Sequence, residues 1–570
     1  MFLYLFITLI ILIYYVITRK YNYFKNKNVP HLSPTFLLGN YGDYILLKKP
    51  IAEVIQDICE QFPNEKFVGA YYATEPVLIP IDPEIIKLIV TKDFYYFHGR
   101  DLSEHNHKDP IALNLFFSHG DHWKVLRQNM TPLFTSGKMK NMFHLIQKCS
   151  HIYESMLDKE VTMSNEIEVR KLAALFTVEC IAACAFGIDA NTMTDDPTNN
   201  PFAKIADSIT NNSRTRTFFY FRFLRTAWPS IFYALGFKVL SDQIKFFGKL
   251  ITTVLKGRNY QYSGRHDFVD LLLGWKKNNH IVGDSMKSLK TGEVHKVSVK
   301  ADDDLLVAQC FVFFTGGFET SSTTISHTLY ELAKNQKIQD KVLEEVDEYL
   351  ARHDNKLLYE CLTEMPYLDA VIDETLRMYP VLGMINREMM EDYTFPNGVC
   401  INKGTRIHLP VQYLHHNPKY FPNPQEFRPE RFLGEEMKKI NPYTYMPFGE
   451  GPRLCIGDIL YSIKNKQYKL NSKFSYSFKN INIESRVDDC FNKFRNLINN
   501  LLIITGMRFA KMQMMAGFIT MLKKYRLELA EDMPTKLHFK PEGFTTQSIE
   551  GIILKFIERE GWENRVFKQQ

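Results

Sequence analysis

The chain opens on an almost unbroken apolar run, Phe2 to Thr18, with no charge before it and Arg19, Lys20, Lys25 and Lys27 soon after. Seventeen residues lie near the lower limit for spanning a bilayer, about 17 to 25, and exceed the apolar core of a cleavable signal peptide. No small-residue cleavage site follows. The pattern predicts an uncleaved signal-anchor helix over residues 1–20, with the positively flanked remainder in the cytosol. Pro30, Pro34 and the Gly39-Asn40 turn then predict a stiff, basic hinge over 21–40. Beyond it apolar positions recur mostly with helical period, no internal repeat is found, and strand-like pieces are few and short. The expected class is mainly α with small β-sheets.

Individual stretches sharpen this picture. Leu305 to Phe318 is largely apolar but, at fourteen residues, too short to cross a bilayer, so it predicts a long buried helix. Its paired Gly316 and Gly317 each cost about 1 kcal/mol relative to alanine, which implies a local use, such as a notch for a crossing helix. Apolar residues at 368, 371, 372 and 376 mark another buried helix face, on which Glu374 and Arg377 stand one turn apart, the spacing of an ordinary surface ion pair. Trp123 and Arg127, four apart, share a helical face. The aromatic run Phe218 to Leu224, followed by Trp228 and Phe232, has too little polar relief for a solvated loop.

Composition narrows the class without naming a chemistry. With 45% hydrophobic and 24% charged residues, 28 Gly and 25 Pro, the 570-residue chain is neither disordered, collagenous nor polytopic. A net charge of +6 is too small to imply a nucleic-acid partner. Nine cysteines with no CxxC pair predict a reducing compartment, and Cys180 and Cys184 read as buried helix residues. His98, His105, His107 and His122 show no metal-site spacing and read as loop residues.

The chemistry concentrates in Phe448-Gly449-Glu450-Gly451-Pro452-Arg453-Leu454-Cys455-Ile456-Gly457, where two glycines and a proline force a tight loop before a single cysteine. A helix begun at Cys455 would aim free backbone N–H groups at the sulfur and lower its pKa, as a metal-ligating thiolate requires. This stretch resembles the haem-binding loop of the cytochrome P450 family, FxxGxRxCxG, matched at Phe448, Gly451, Arg453, Cys455 and Gly457. The resemblance implies haem b, with Cys455 as axial iron ligand, Arg453 on a propionate and Phe448 beside the sulfur. Thiolate donation of this kind favours O–O cleavage.

Other stretches carry the same resemblance. Glu374 and Arg377 match the family's ExxR helix, and Phe427-Arg428-Pro429-Glu430-Arg431-Phe432 supplies its partner Arg431. The three would form a desolvated network in which loss of one member strands buried charge. The segment Gly316-Gly317-Phe318-Glu319-Thr320 resembles the [AG]GxxT oxygen-binding kink, which implies that Thr320 steadies oxygen while Glu319 helps deliver protons. Trp123 with Arg127 matches WxxxR, and Arg387 stands where the family places a further propionate contact. Thr131 to Lys140, Cys184 to Ile188 and Gly317 to Ser322 are similar to insect microsomal, xenobiotic-metabolising members.

The resemblance implies a single large haem domain over 41–570 in the cytochrome P450 fold. It implies a monooxygenase that places one atom of O2 in lipophilic small molecules, either xenobiotics or endogenous hormones and lipids. Its electrons would come from NADPH through a reductase, with cytochrome b5 as a second donor, at the cytosolic face of the endoplasmic reticulum membrane, and the aromatic run would roof the substrate site and dip into the bilayer. Two alternatives stay open: a haem-thiolate isomerase or dehydratase, and an inactive haem protein. A Thr320–Glu319 proton relay favours the oxygenase.

One segment departs from the family. The cysteine helix should run from Gly457 into a sequence like Met507-Arg508-Phe509-Ala510, yet 48 residues and a second glycine intervene. From Asp458 to Thr505, Asn, Lys, Ile, Phe and Tyr make up 28 of 48 residues, Ala, Gly and Pro are absent, and the favoured types have AT-rich codons. Removing 458–506 joins Cys455-Ile456-Gly457 directly to Met507, and the repeated glycine allows one codon split by an intron. The segment reads as a retained intron or gene-model error, against the alternative of a genuine surface insertion, which costs little entropy. As an insertion it would put Leu460 and Tyr461 where Phe509 and Ala510 belong and overpack the haem by about 1 to 3 kcal/mol.

Overall fold

The computed structural model describes residues 1–100, 103–212, 216–237, 241–265, 267–456 and 507–568, so the 458–506 segment lies outside the described residues. Helices dominate, arranged around one of 32 residues, Asp303–Lys334. Its start is set by Asp302, whose carboxylate accepts from the Leu305 N–H at 3.1 Å, with Asp303 and Asp304 in the first turn and Lys334 in the last. Most of its residues from Leu305 to Ala333 are buried, both the apolar run Leu305 to Phe318 and the polar stretch that follows it. The helix runs unbroken through the paired glycines. Gly317 is the notch where the Val169–Ile181 helix crosses, since a Cβ there would come within 2.7 Å of Ile181 Cδ1.

A second, smaller core lies around a four-stranded sheet. Phe67–Tyr72 pairs antiparallel with Glu75–Pro80, which pairs parallel with Arg406–Leu409, which pairs antiparallel with Ile385–Glu388. This register sets Arg387 opposite Ile407. Smaller sheets join Tyr525–Leu529, Ile553–Glu558 and Glu166–Glu168, and two short hairpins complete the β-structure.

The first helix, Phe2–Thr18, presents its apolar side chains outward: Phe2 is 84% and Leu3 67% exposed. At 1.5 Å per residue it is about 26 Å long, short of a hydrocarbon core of about 30 Å. No helix among the described residues is long and apolar enough to cross a membrane, so the expected spanning anchor is not found as such. The following basic segment is docked rather than free. Phe24 is fully buried against Gly69 and Tyr71, the Gly69 N–H donates to the Pro30 carbonyl at 2.7 Å, and Lys20 pairs with Glu75 at 2.6 Å.

Candidate haem site

The cysteine loop is held by its own backbone. Cys455 N–H donates to the Phe448 carbonyl at 2.9 Å and Leu454 N–H to Gly451 at 2.9 Å, closing a tight turn that leaves the Cys455 residue exposed. Gly451 is required twice over. Its φ is +74°, and a Cβ would stand 1.7 Å from the Val90 carbonyl oxygen. Phe448 packs at the edge of the main core. Cys455 itself is not helical; the helix that follows is described only from Met507 to Leu522, so the N–H groups expected to face the sulfur lie outside the described residues.

Beside the loop, four arginines converge from four parts of the chain. Arg453 is buried, its guanidinium 4.7 Å from the Trp123 ring centre, and donates to the carbonyls of His98 at 2.8 Å, Phe116 at 3.3 Å and Ser118. Burial, with Arg100, Arg387 and Arg127 nearby, holds its pKa well below the usual arginine range. Arg387 is fully buried on its strand, its pKa likewise pushed well down by burial and by Arg100, and its Nε has no hydrogen-bond partner. Arg127, one turn after the buried Trp123 on the Gly120–Met130 helix, is lowered to about 10 by burial, opposed by Cys455 close by. No ion pair reaches Arg127, Arg387 or Arg453 among the described residues.

Sequence reasoning missed Arg100. It is brought in because Gly99 bridges to Glu388, whose N–H donates to the Gly99 carbonyl at 3.0 Å, which sets Arg100 Nη1 3.2 Å from the Asn386 side-chain oxygen. Its only sequence signal is the glycine before it, where a Cβ would meet Met390 Sδ at 2.4 Å. The histidines read as loop residues divide: His98 is a buried loop residue whose Nδ1 donates to the Tyr95 carbonyl at 2.6 Å, His105 and His107 lie in the short 3-10 helix Ser103–Lys108, and His122 lies inside the Gly120–Met130 helix. That part of the reading is corrected, because the apolar faces on either side were too short to reveal the helix start.

On the central helix, Thr320 hydroxyl donates to the Gly316 carbonyl at 2.7 Å, and Gly316 is exposed in mid-helix with no atom within 4 Å of an added Cβ. Glu319 points elsewhere. Its carboxylate accepts from Arg170 at 2.7 Å, Thr210 at 3.0 Å, Thr545 at 2.9 Å and Gln547 at 2.7 Å, none of which its local sequence announces. The Met507–Leu522 helix meets the same region, Gln513 donating to the Gly317 carbonyl at 2.8 Å and to Ser321 at 2.6 Å.

Glu374, Arg377 and Arg431 form a closed network with exposures of 0%, 0% and 4%. Arg377 grips both carboxylate oxygens, Nε at 2.7 Å and Nη2 at 2.9 Å, and Arg431 Nε adds a bond at 3.3 Å. The spare guanidinium protons go to the carbonyls of His415, Glu426 and Asn423. His415, which the sequence did not single out, links this network to the cysteine loop: its Nδ1 meets the Arg377 carbonyl at 3.2 Å and its Nε2 accepts from the Met446 N–H at 2.9 Å. Burial holds the ring neutral.

These residues fit a flat anionic cofactor with a central metal. An exposed thiol could supply one ligand, a buried field of guanidiniums with an orphaned Arg387 Nε suits carboxylates, and Gly316 leaves an open place on the central helix. Comparison with known proteins agrees. The family profile described as Cytochrome P450 matches residues 29–462. The chain is 37% identical to cytochrome P450 6B7 of Helicoverpa armigera over 451 residues, 79% of this chain and 86% of the relative. It is 32% identical to cytochrome P450 6B2 of the same species and 30% to cytochrome P450 6a8 of Drosophila melanogaster, covering 97% and 96% of this chain and 97% of each relative.

Proposed function

The chain belongs to the cytochrome P450 family, with haem as its cofactor and monooxygenation as its chemistry, and from that premise we propose that it oxidises lipophilic xenobiotics with electrons that an NADPH-dependent reductase delivers. The exposed Cys455 beside the buried arginines is the observation that carries the site assignment. In this reading Cys455 is the iron ligand and Phe448 shields the sulfur. Arg127, Arg387 and Arg453, with Arg100 and Trp123, hold the propionates. Bound haem supplies the activation of O2; the residues position it and manage protons.

Glu374, Arg377 and Arg431 fix the scaffold behind the cysteine, and His415 transmits that fixation to Met446. Thr320 and Glu319 would manage protons on the side of the site opposite Cys455, Thr320 through a hydroxyl that here donates to the Gly316 carbonyl and Glu319 from a carboxylate held by Arg170, Thr210, Thr545 and Gln547. Such a relay serves oxygen activation, which sets the oxygenase above the isomerase reading.

The Phe2–Thr18 helix, with its outward apolar side chains, anchors the enzyme to the endoplasmic reticulum membrane, with the domain on the cytosolic side. In the Arg216–Ala227 helix Phe219 is buried while Tyr220 is 45% exposed, so part of the aromatic run is core and part is available to the bilayer. The 458–506 segment is a retained intron or a gene-model error rather than an evolved element of the enzyme. Supporting this, the family match ends at residue 462, shortly after Cys455, while a relative matched over 97% of both chains spans the interruption.

The carbon monoxide difference spectrum of the reduced protein tests the proposal. A thiolate-type red-shifted Soret band is expected once 458–506 is deleted, and Cys455→Ser should abolish it completely. A band that survives in Cys455→Ser removes Cys455 as the ligand. Transcripts that all retain the segment, together with a normal band from the full chain, would end the intron reading.

A further inference from the structure

Glu319, Thr323 and His327 recur every fourth residue along the central helix, three buried polar groups on one flank over about 12 Å. Beside them lies a pocket of about 380 Å³, part of it open to solvent, whose lining includes Arg170, Thr323, His327, Lys540, Gln547 and Ser548. Two of these also hold Glu319: Arg170 Nη2 and Gln547 Nε2 each reach its carboxylate at 2.7 Å. Pocket and carboxylate therefore share a wall.

The inner residues of the pocket have capacity that the protein does not use. His327 is 2% exposed and Thr323 1%, yet neither ring nitrogen of His327, nor the Thr323 hydroxyl, nor Arg170 Nε has a hydrogen-bond partner. The Thr323 carbonyl lies near enough to favour the charged ring but outside hydrogen-bond geometry. Packing orients the ring instead, stacked on Tyr379 at 5.0 Å and edge-on to Phe539 at 6.0 Å. Buried polar atoms are nearly always satisfied by protein or by ordered water, and the enclosed part of the pocket has room for a few waters.

We propose that this pocket holds a chain of ordered waters and that, with His327 and Thr323 as its inner members, it is the path by which solvent protons reach Glu319. The proposal rests on the reading of Glu319 as the proton donor to the haem side. A neutral imidazole offers one donor and one acceptor. As it takes a proton at one nitrogen it releases the proton from the other, so the ring stays neutral, changes tautomer, and resets by the reverse exchange with pocket water. Burial pulls His327 down to about 3, so it passes a proton on rather than keeping it. The Thr323 hydroxyl relays in the same way, one proton in and one out, and Glu319 is restored after each turnover.

The test uses the haem-loaded enzyme reconstituted with its reductase, comparing His327→Phe and Thr323→Val with His327→Gln, Thr323→Ser and Glu319→Gln. The phenylalanine keeps the ring stack and removes both nitrogens. Peroxide released per NADPH consumed should rise in Glu319→Gln and, by about threefold, in His327→Phe and Thr323→Val, and return toward the parent value in His327→Gln and Thr323→Ser, since a relay residue acts at one remove from a positioned proton donor. The carbon monoxide spectrum should be unchanged in all five. A crystal structure of the haem-loaded enzyme should show waters within hydrogen-bond distance of both His327 nitrogens. A dry pocket, or parent-like peroxide release in His327→Phe and Thr323→Val alongside a raised value in Glu319→Gln, overturns the route. A parent-like Glu319→Gln with raised His327→Phe instead removes Glu319 from the path while keeping the pocket.

Discussion

The Glu374–Arg377–Arg431 network and the cluster of Arg100, Arg127, Arg387 and Arg453 are both buried assemblies of arginine, and they differ in what completes them. In the first, a carboxylate and three backbone carbonyls take up the guanidinium protons, and the unit closes on itself. In the second, each of Arg387 and Arg453 is pushed down by burial and by its arginine neighbours. Charge gathered at such cost within a protein marks a place for something anionic from outside it. The first assembly is a device of the fold; the second we propose as the seat of the cofactor's carboxylates.

Three measurements bear on that difference. The largest effect is expected from Glu374→Gln, which leaves two buried guanidiniums around a neutral amide and should lower stability by about 3–5 kcal/mol in chemical denaturation, with or without haem. A loss near zero would mean the network is not desolvated. Next is Arg387→Leu, which should behave oppositely in the two states: haem transfer to a scavenger accelerates by about tenfold to a hundredfold, for a lost charged hydrogen bond of about 1.5–3 kcal/mol, while the thermal midpoint of the haem-free chain does not fall. A haem-free protein that loses as much as the loaded one breaks the distinction.

The smallest effect is in the pH profile. His98, at 5% exposure, is held down to about 4, mainly by burial and further by Arg453. The folded protein therefore refuses a proton that the unfolded chain accepts near pH 6.5, so this contribution is full above about 6.5 and is lost as pH falls toward about 4, at up to about 1.4 kcal/mol per pH unit. Urea midpoints from pH 7.5 to 5 should slope less in His98→Gln. The slope should also be shallower when haem is bound, because propionates offset the field of Arg453. Equal slopes in loaded and haem-free protein would place the carboxylates elsewhere.

What the sequence made legible follows from range. The central helix, the Glu374–Arg377 face and the Gly451 turn are written in residues a few positions apart, where helical period and glycine conformation speak directly. Arg100 beside Arg387, Arg170 on Glu319, and His415 between Arg377 and Met446 join parts of the chain that no local spacing connects. The paired glycines divided their roles in a way that only packing could decide, Gly317 receiving Ile181 and Gly316 remaining open. The first helix formed where the apolar run predicted it, yet its length falls short of a full span.

The approach of Gly451 to Val90 has a consequence for anyone exchanging parts between such enzymes. Because backbone meets backbone there, with the Leu88–Lys92 turn supplying the carbonyl, the cysteine loop is not a portable cassette. A graft of 448–456 alone would inherit a foreign surface under its tightest turn; the transferable unit is the loop together with 88–92, two segments that lie more than half the chain apart and have to be moved as one.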